Sequence, residues 1–365
     1  MKIGILTYHR AHNYGAMLQA YALLTYLRSN GHDAEIIDYW PESHRVQYAL
    51  IKPIVGNGII PKIKCIIANT VTFFRRYVRI RKFEKFCHTY LNIGSTIQYP
   101  NPNALTDLKY DCVIVGSDQI WRNHESNGKY IGFDPVYFGQ NIPKSIRCIS
   151  YAASMGVIQL SNDDKNRLKN YLNRFCRILV RENSLKKVIN DFGFDAQVVV
   201  DPTLLLSKAD WNQMLPQQRF RKTKYVLYYE LMKSEDALLF AKHKADELEC
   251  KLLIMDAIIP LMPRRGHISY ASPIEFLHAI RDAEFVIATS FHGTAFSVIF
   301  EKQFITIGLK NNADRVQTLL HQLDIVEHYQ EYPQNVMDID YAQVKSRFSK
   351  LVANSMHLLL TSICK

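Results

Sequence analysis

Asp111-Cys112-Val113-Ile114-Val115-Gly116-Ser117-Asp118-Gln119-Ile120-Trp121-Arg122 is the stretch on which the reading of the fold turns. Cys112–Val115 is apolar without alternation, as in a strand covered on both faces. It breaks into Gly116-Ser117 and then an acid, an amide, an indole and a guanidinium, a dense polar loop at a strand's carboxyl end. Upstream, Lys2–Tyr8 reads as a strand, a helix runs from about Gly15 to Asn30 with Gly31 closing it, and Ala34–Asp38 is a second strand. Downstream come strand Ile146–Ala152, helix Asp163–Phe175, strand Arg177–Arg181, helix Asn183–Phe192 and strand Gln197–Val200. After a polar break at Pro216–Lys224 the alternation restarts: strand Tyr225–Tyr229, helix Ser234–Leu248, strand Lys251–Met255, helix Pro273–Arg281, strand Phe285–Thr289. A helix from about Gly293, strand Phe304–Ile307, helix Ala313–Leu323 and helical sequence Tyr341–Leu360 follow.

Buried strands alternating with helices predict an α/β fold with two Rossmann-like, doubly wound parallel-sheet domains facing a cleft. The expected domains are residues 1–212, with a basic amphipathic insertion at about 45–90, and residues 213–340. Residues 341–365 form a C-terminal helical segment expected to pack back on the first domain. Ligands in this class bind at the carboxyl ends of the strands.

The composition of the 365 residues fits two cores: 48% are hydrophobic and 22% charged, which excludes disordered, collagen-like and coiled-coil classes. The net charge of +11 points to an anionic partner, but it is not spread evenly. From Arg45 to Lys85 there are ten basic residues against Glu84 alone, so this segment carries +9 of the +11. Its apolar positions Ile63, Ile66, Ile67, Thr70, Phe73, Phe74, Tyr77 and Ile80 follow helical spacing, with Lys64, Arg75, Arg76, Arg79 and Lys82 mainly opposite. One such pattern fits two structures: an element docking on an anionic membrane surface, and an ordinary helix with its apolar face in the core and solvated arginines outside. Nucleic-acid binding is disfavoured, because the segment contains no recognised module and the rest of the chain is nearly neutral. Seven scattered cysteines never form Cys-x-x-Cys and suit reduced thiols. The apolar run Ile3–Leu6 is too short for a signal-peptide core. No run of 18 apolar residues spans a membrane. The expectation is a cytoplasmic protein, peripheral on the inner face of the membrane.

Four loops carry the polar chemistry. In His9–Ala20, Gly15 and Ala16 let backbone N–H groups approach an anion at a helix N-terminus, and Asn13 is either a ligand contact or the helix cap. Neither G-x-G-x-x-G nor a Walker motif is present. In the loop after Val115, Trp121 suits stacking on a sugar face and Asp118 suits orienting or deprotonating a hydroxyl, with a helix cap as the alternative for Asp118. Arg181 ends a strand and is expected to point into the cleft, where a guanidinium binds carboxylate or phosphate through two parallel hydrogen bonds; the alternative is a surface pair with Glu182. In Ser290-Phe291-His292-Gly293-Thr294, His292 sits at a strand-to-helix turn, where the helix dipole favours the neutral, base-competent ring.

In order, N-Y-G-A-M-L-Q-A-Y-A-L from Asn13, V-G-S-D-Q-I-W from Val115, Y-A-A-S-M-G from Tyr151, V-R-E-N-S from Val180, V-V-D-P-T-L-L-L from Val199 and S-F-H-G-T-A-F-S from Ser290 resemble the polysaccharide pyruvyl transferase family. The resemblance covers most of the chain and leaves the basic insertion outside the motifs. It implies a fold similar to the two-Rossmann (GT-B-like) glycosyltransferases. It also implies transfer of the enolpyruvyl carbons of phosphoenolpyruvate onto two hydroxyls of a glycan or lipid-linked glycan, with no metal or redox cofactor. Cell-surface glycan synthesis, as of capsule or exopolysaccharide, is the implied setting. Arg181 matches the family's donor-binding arginine and His292 its motif histidine.

Against that reaction, His292 is assigned the acid/base or phosphate-stabilising role and Asp118 the acceptor hydroxyl. Asn13, Gly15, Ser117, Gln119, Trp121, Ser290, Phe291, Gly293 and Thr294 are assigned to ligand contact, with His12 as an extra. The chain departs from the family at Ser290-Phe291-His292, where an Arg-Leu-His triplet is common, so Arg122, Arg264 and Arg265 are the candidates for the second arginine. Two other readings compete: a nucleotide-sugar glycosyltransferase, which lacks a Glu-x7-Glu pattern after His292, and a non-catalytic glycan or anion binder.

Overall fold

The computed structural model describes residues 1–54, 56, 58–94, 102–126, 129–308, 313–334 and 337–364. Val55 and Asn57 of the expected insertion lie outside these residues. The first half runs β1 (Lys2–Leu6), α1 (Tyr14–Ser29), β2 (Asp33–Ile36), α2 (Glu42–Gln47), α3 (Ile59–Tyr90) and β3 (Cys112–Val115). A hairpin of β4 (His124–Ser126) and β5 (Lys129–Gly132) leads on to β6 (Arg147–Ala153), α4 (Asn162–Leu172), β7 (Arg177–Val180), α5 (Asn183–Asp191) and β8 (Ala196–Val198). Helix α6 (Lys208–Gln213) opens the second half: β9 (Tyr225–Glu230), α7 (Glu235–Glu247), β10 (Lys251–Asp256), β11 (His267–Ile268) and α8 (Pro273–Asp282). It continues with β12 (Phe285–Ala288), α9 (Phe291–Ile299), β13 (Gln303–Ile307), α10 (Ala313–Leu323), β14 (Tyr329–Gln330) and α11 (Tyr341–Cys364).

The strands form two six-stranded sheets, ordered β2-β1-β3-β6-β7-β8 and β11-β10-β9-β12-β13-β14, in which every pairing is parallel. The expected Rossmann-like α/β architecture is therefore present in both halves. Strand β3 is buried at all four residues, as its unbroken apolar run requires. The chain reverses direction across each sheet between β1 and β3 and between β9 and β12. These are the switch points at which parallel sheets leave a crevice for ligands.

The halves share an apolar core. Tyr14 of α1 stacks on Phe276 of α8, with ring centroids 4.7 Å apart, and Trp211 of α6 meets both Tyr21 and Phe296. Helix α11 reaches the first sheet: Arg147 Nε donates to Ser362 O at 2.9 Å, and the Val200 N–H donates to Ser355 Oγ at 3.1 Å.

Helix α3 overturns the reading with a buried apolar face and solvated arginines. Ile63, Ile66, Ile67, Phe73, Phe74 and Tyr77 are exposed, whereas Arg79 is buried. Its guanidinium donates to the carbonyls of His12 (3.1 Å), Ala257 (2.7 Å) and Ser269 (3.1 Å) and lies over the rings of Tyr14 and Phe83. A buried guanidinium is tolerable when carbonyls satisfy its donors, and here they come from both halves. Periodicity located the two faces of the helix correctly; packing chose which one to cover.

Candidate active site

The loops after β1, β3, β9 and β12 open on one cavity of about 1770 Å³. From the first half Asn13, Asp118, Gln119 and Arg122 line it, and from the second Ser290, Phe291, His292 and Arg315. An outer wall of Tyr8, His44, Tyr48 and Phe133 adds aromatic surface. The leading end of the basic insertion, α2 and Tyr48, thus builds one side of the cleft.

Beneath the floor lies Asp201, fully buried after β8. Its Oδ2 accepts from Arg181 Nη1 at 2.5 Å and from Ser117 Oγ at 3.1 Å, and lies 3.7 Å from His292 Nε2. Its Oδ1 accepts from the N–H (3.0 Å) and hydroxyl (2.8 Å) of Thr203. Burial opposes ionisation, but His292, Arg181 and the Thr203 N–H outweigh it and hold this carboxyl well below the ordinary carboxylate range. Burial likewise opposes the charge on Arg181, and Asp201, Asp118 and Glu182 overcome it. Arg181 Nη2 stands 3.6 Å from Asp118 Oδ1. Among the described residues neither it nor Nε has a hydrogen-bond partner.

Arg315 of α10 is a second buried guanidinium at the cleft. Burial, and then the charge of Arg181, lower its pKa to about 10. With the Gln119 amide oxygen turned toward it, that oxygen accepts from Arg315 Nη1 at 3.0 Å. Glu182, also buried, accepts from Ser154 Oγ and the Met155 N–H, both at 2.9 Å, and so pins the loop after β6. Arg181 and Glu182 are therefore not a surface pair.

His292 sits in the first turn of α9, where Ser290 caps the helix by accepting from the Gly293 N–H at 3.0 Å. Its ring packs on Gly15 in the first turn of α1: a Cβ built on Gly15 lies 1.9 Å from His292 Nδ1. Only glycine permits that approach of the two halves. Gly15→Ala is expected to displace the ring and to cost about 1–3 kcal/mol, the range for overpacking. Urea unfolding measures it, and an unchanged midpoint would contradict the close packing.

Several expected contacts lie off the cleft. Trp121 is fully buried, stacks on Phe138 and donates from Nε1 to Tyr137 O at 2.8 Å, so its faces are covered and cannot receive a sugar. Ser117 binds Asp201; Gly293 packs against Ala288 and Tyr229; Thr294 donates to Ser290 O and meets Thr306. Gly15 acts on His292 rather than lining the cavity. Arg181 does not reach the cavity surface, because the ring of Phe291 covers it, 4.9 Å from the guanidinium carbon. His12 packs between Tyr48 and Phe83, and burial with nearby Arg79 lowers its pKa to about 4. Asn13 serves both of its readings: it caps α1 by accepting from the Ala16 N–H at 3.3 Å, and it lines the cavity.

Of the arginines proposed to replace the one missing at Ser290, only Arg122 lines the cavity; Arg264 pairs with Glu230 at 3.1 Å, and Arg265 is off the cavity. Sequence reasoning missed Asp201 and Arg315. Asp201 stands in the Val199–Leu206 motif, where an acid between a strand and Pro202 was the available signal. Arg315 follows β13 beyond the motifs, and nothing local marked it.

Among solved structures the chain is similar to a UDP-GlcNAc 2-epimerase from Neisseria meningitidis bound to UDP-GlcNAc, at 10% identity and TM-score 0.47, covering all of both chains. It is also similar to a glycosyltransferase from Streptomyces sp. SF2575 complexed with thymidine diphosphate, at 13% identity and TM-score 0.42, covering 98% of this chain and 96% of that one. No curated protein matches it. The family model for polysaccharide pyruvyl transferase matches residues 13–311, which include the loops that build the cleft from both sides, and the chain belongs to that family.

Proposed function

We propose that this transferase moves the pyruvyl group of phosphoenolpyruvate onto two hydroxyls of a sugar, forming a cyclic ketal in cell-surface polysaccharide synthesis. The observation that supports it most is that two guanidinia, Arg122 and Arg315, line one cavity together with His292. A ligand bearing both phosphate and carboxylate offers each of them an anionic partner. A cavity of about 1770 Å³ exceeds the roughly 300–1,000 Å³ of an ordinary small-molecule site, as a donor and a glycan together require.

In this reading Arg315 and Arg122 hold the donor, with Arg181 contributing its charge from beneath Phe291. Asp201, 3.7 Å from Nε2, and Gly15, packed against Nδ1, fix the His292 ring at the cleft, where it handles the reacting proton. A proton delivered to the donor's methylene carbon makes a methyl group and leaves positive character on C2. One acceptor hydroxyl attacks C2 and gives its proton to Asp118. The bond to phosphate breaks, and the second hydroxyl closes the ring. One of the two hydroxyl protons balances that added to carbon, and the other leaves with phosphate.

Phosphate release and a gain of pyruvate mass on an incubated glycan test the reaction directly. Binding is tested separately. Phosphoenolpyruvate at about 100 times its Kd is expected to stabilise the fold by roughly 2.7 kcal/mol. Arg315→Ala is expected to weaken that binding by about 10- to 100-fold, the value of a hydrogen bond to a charged group. Stabilisation by UDP with no response to phosphoenolpyruvate would overturn the proposal.

A further inference from the structure

Helix α3 is anchored at one end and uncovered at the other. Its C-terminal turns bury Arg79, Phe83 and Phe86, while Ile59, Ile63, Ile66, Ile67, Phe74 and Tyr77 are exposed, Ile59 at 76% and Phe74 at 71%. At 3.6 residues per turn these six, with the exposed Ile60, Val71 and Phe73, fall within an arc of roughly 160°, so they form one broad stripe rather than scattered exposures. A second element extends it. The loop after β10 exposes Ile258, Leu261 and Met262, and Arg75 on the flank of α3 fastens that loop by donating to Pro260 O at 2.8 Å and Leu261 O at 2.7 Å. Exposed apolar side chains of both halves thus stand on adjoining elements, and an exposed apolar patch of this kind marks an interaction site.

The charge around the stripe identifies its occupant. No acidic residue occurs from position 43 to 83, and Lys62, Lys64, Arg81 and Lys85 are exposed on the same helix. A second copy of the chain would bring two such positive segments together, which like-charge repulsion opposes. Among the described residues no helix is long and apolar enough to cross a membrane. An apolar stripe edged by lysine and arginine fits the plane of an anionic bilayer, with the apolar groups at the acyl boundary and the cations among the headgroups.

We propose that α3 and the Ile258–Met262 loop together dock the protein on an anionic lipid surface. This goes beyond the catalytic reading and does not depend on it, although a lipid-linked glycan acceptor is met at such a surface. The test is flotation of the full chain with vesicles of phosphatidylcholine alone and with about one-third phosphatidylglycerol, in the absence of substrate. Binding is expected only to the phosphatidylglycerol vesicles, and it should weaken by about tenfold or more between roughly 0.05 and 0.5 M salt. The double variant Ile67→Asp/Phe74→Asp should lose about tenfold in binding with unchanged circular dichroism. Lys62→Glu/Lys64→Glu should lose the preference for anionic lipid. Absence of wild-type binding, or binding untouched by the apolar replacements, overturns the proposal. So does a dimer in sedimentation that Ile67→Asp/Phe74→Asp dissolves without any vesicle binding, which would assign the stripe to a second copy. Because the assay contains no donor or acceptor, failure of pyruvyl transfer leaves it readable.

Discussion

The His292→Ala variant is expected to fold normally and to lose roughly a hundred- to ten-thousand-fold in kcat, the range for removing a positioned general acid or base. The ring lines the cavity, and its side chain is only 12% exposed, so it is held rather than mobile. Gly15 supports one side of it and Asp201 stands 3.7 Å from Nε2, so the ring is fixed at the wall of the cleft. Donor binding should change much less than kcat, because Arg315 and Arg122 remain. Single-turnover phosphate release separates the two effects. A variant that turns over within about threefold of wild type would remove His292 from the chemistry. A variant that binds donor as before but releases no phosphate would confirm the assignment.

The second large effect is on stability. Asp201→Ala leaves the Arg181 guanidinium buried without its closest carboxylate, and breaking a buried pair in this way costs about 3–5 kcal/mol. Asp201→Asn should cost less, since an amide oxygen still accepts from the Thr203 N–H and hydroxyl. The dependence on pH follows from the sign of the shift. Folding depresses the Asp201 pKa, so its contribution is complete above the unfolded-state value near ~3.9 and is lost as the pH falls toward the folded value. The gap in unfolding free energy between wild type and Asp201→Asn is therefore expected to shrink below about pH 4. Urea unfolding at two pH values measures it. A gap that widens in acid would mean that Asp201 is not the stabilised carboxylate.

Much of the architecture could be read one segment at a time. Strand β3 occupies Cys112–Val115 and helix α10 Ala313–Leu323, as expected, because an unbroken apolar run and a helical repeat are local signals. The hairpin of β4 and β5 went unread, as did the short strands β11 and β14. Two to four residues are too few to show a period.

The candidate site was legible in part. The loops after β1, β3 and β12 supply cavity residues, because strand ends in a parallel sheet are where ligands collect. Trp121 was misplaced for a physical reason: an indole after a Gly-Ser turn has the same composition whether it faces a sugar or, as here, Phe138 and Phe175. The second arginine was sought at Arg122, Arg264 and Arg265; Arg122 lines the cavity, and so does Arg315 of α10, which stands past the last motif.

The sequence by itself determined the alternation of buried strands and helices, the two sheets and the loops that carry the chemistry, because each of these rests on residues close together in the chain. Only the tertiary structure decided that Gly15 packs on His292, that Asp201 and Arg181 share one buried pair beneath it, and that Arg315 stands beside them. Those partners lie far apart in the chain and meet through sheet order and domain packing, which no local pattern encodes. The same holds for α3. Its two faces are written in the spacing of its residues, but which face was covered depended on carbonyls of the other half being in reach of Arg79.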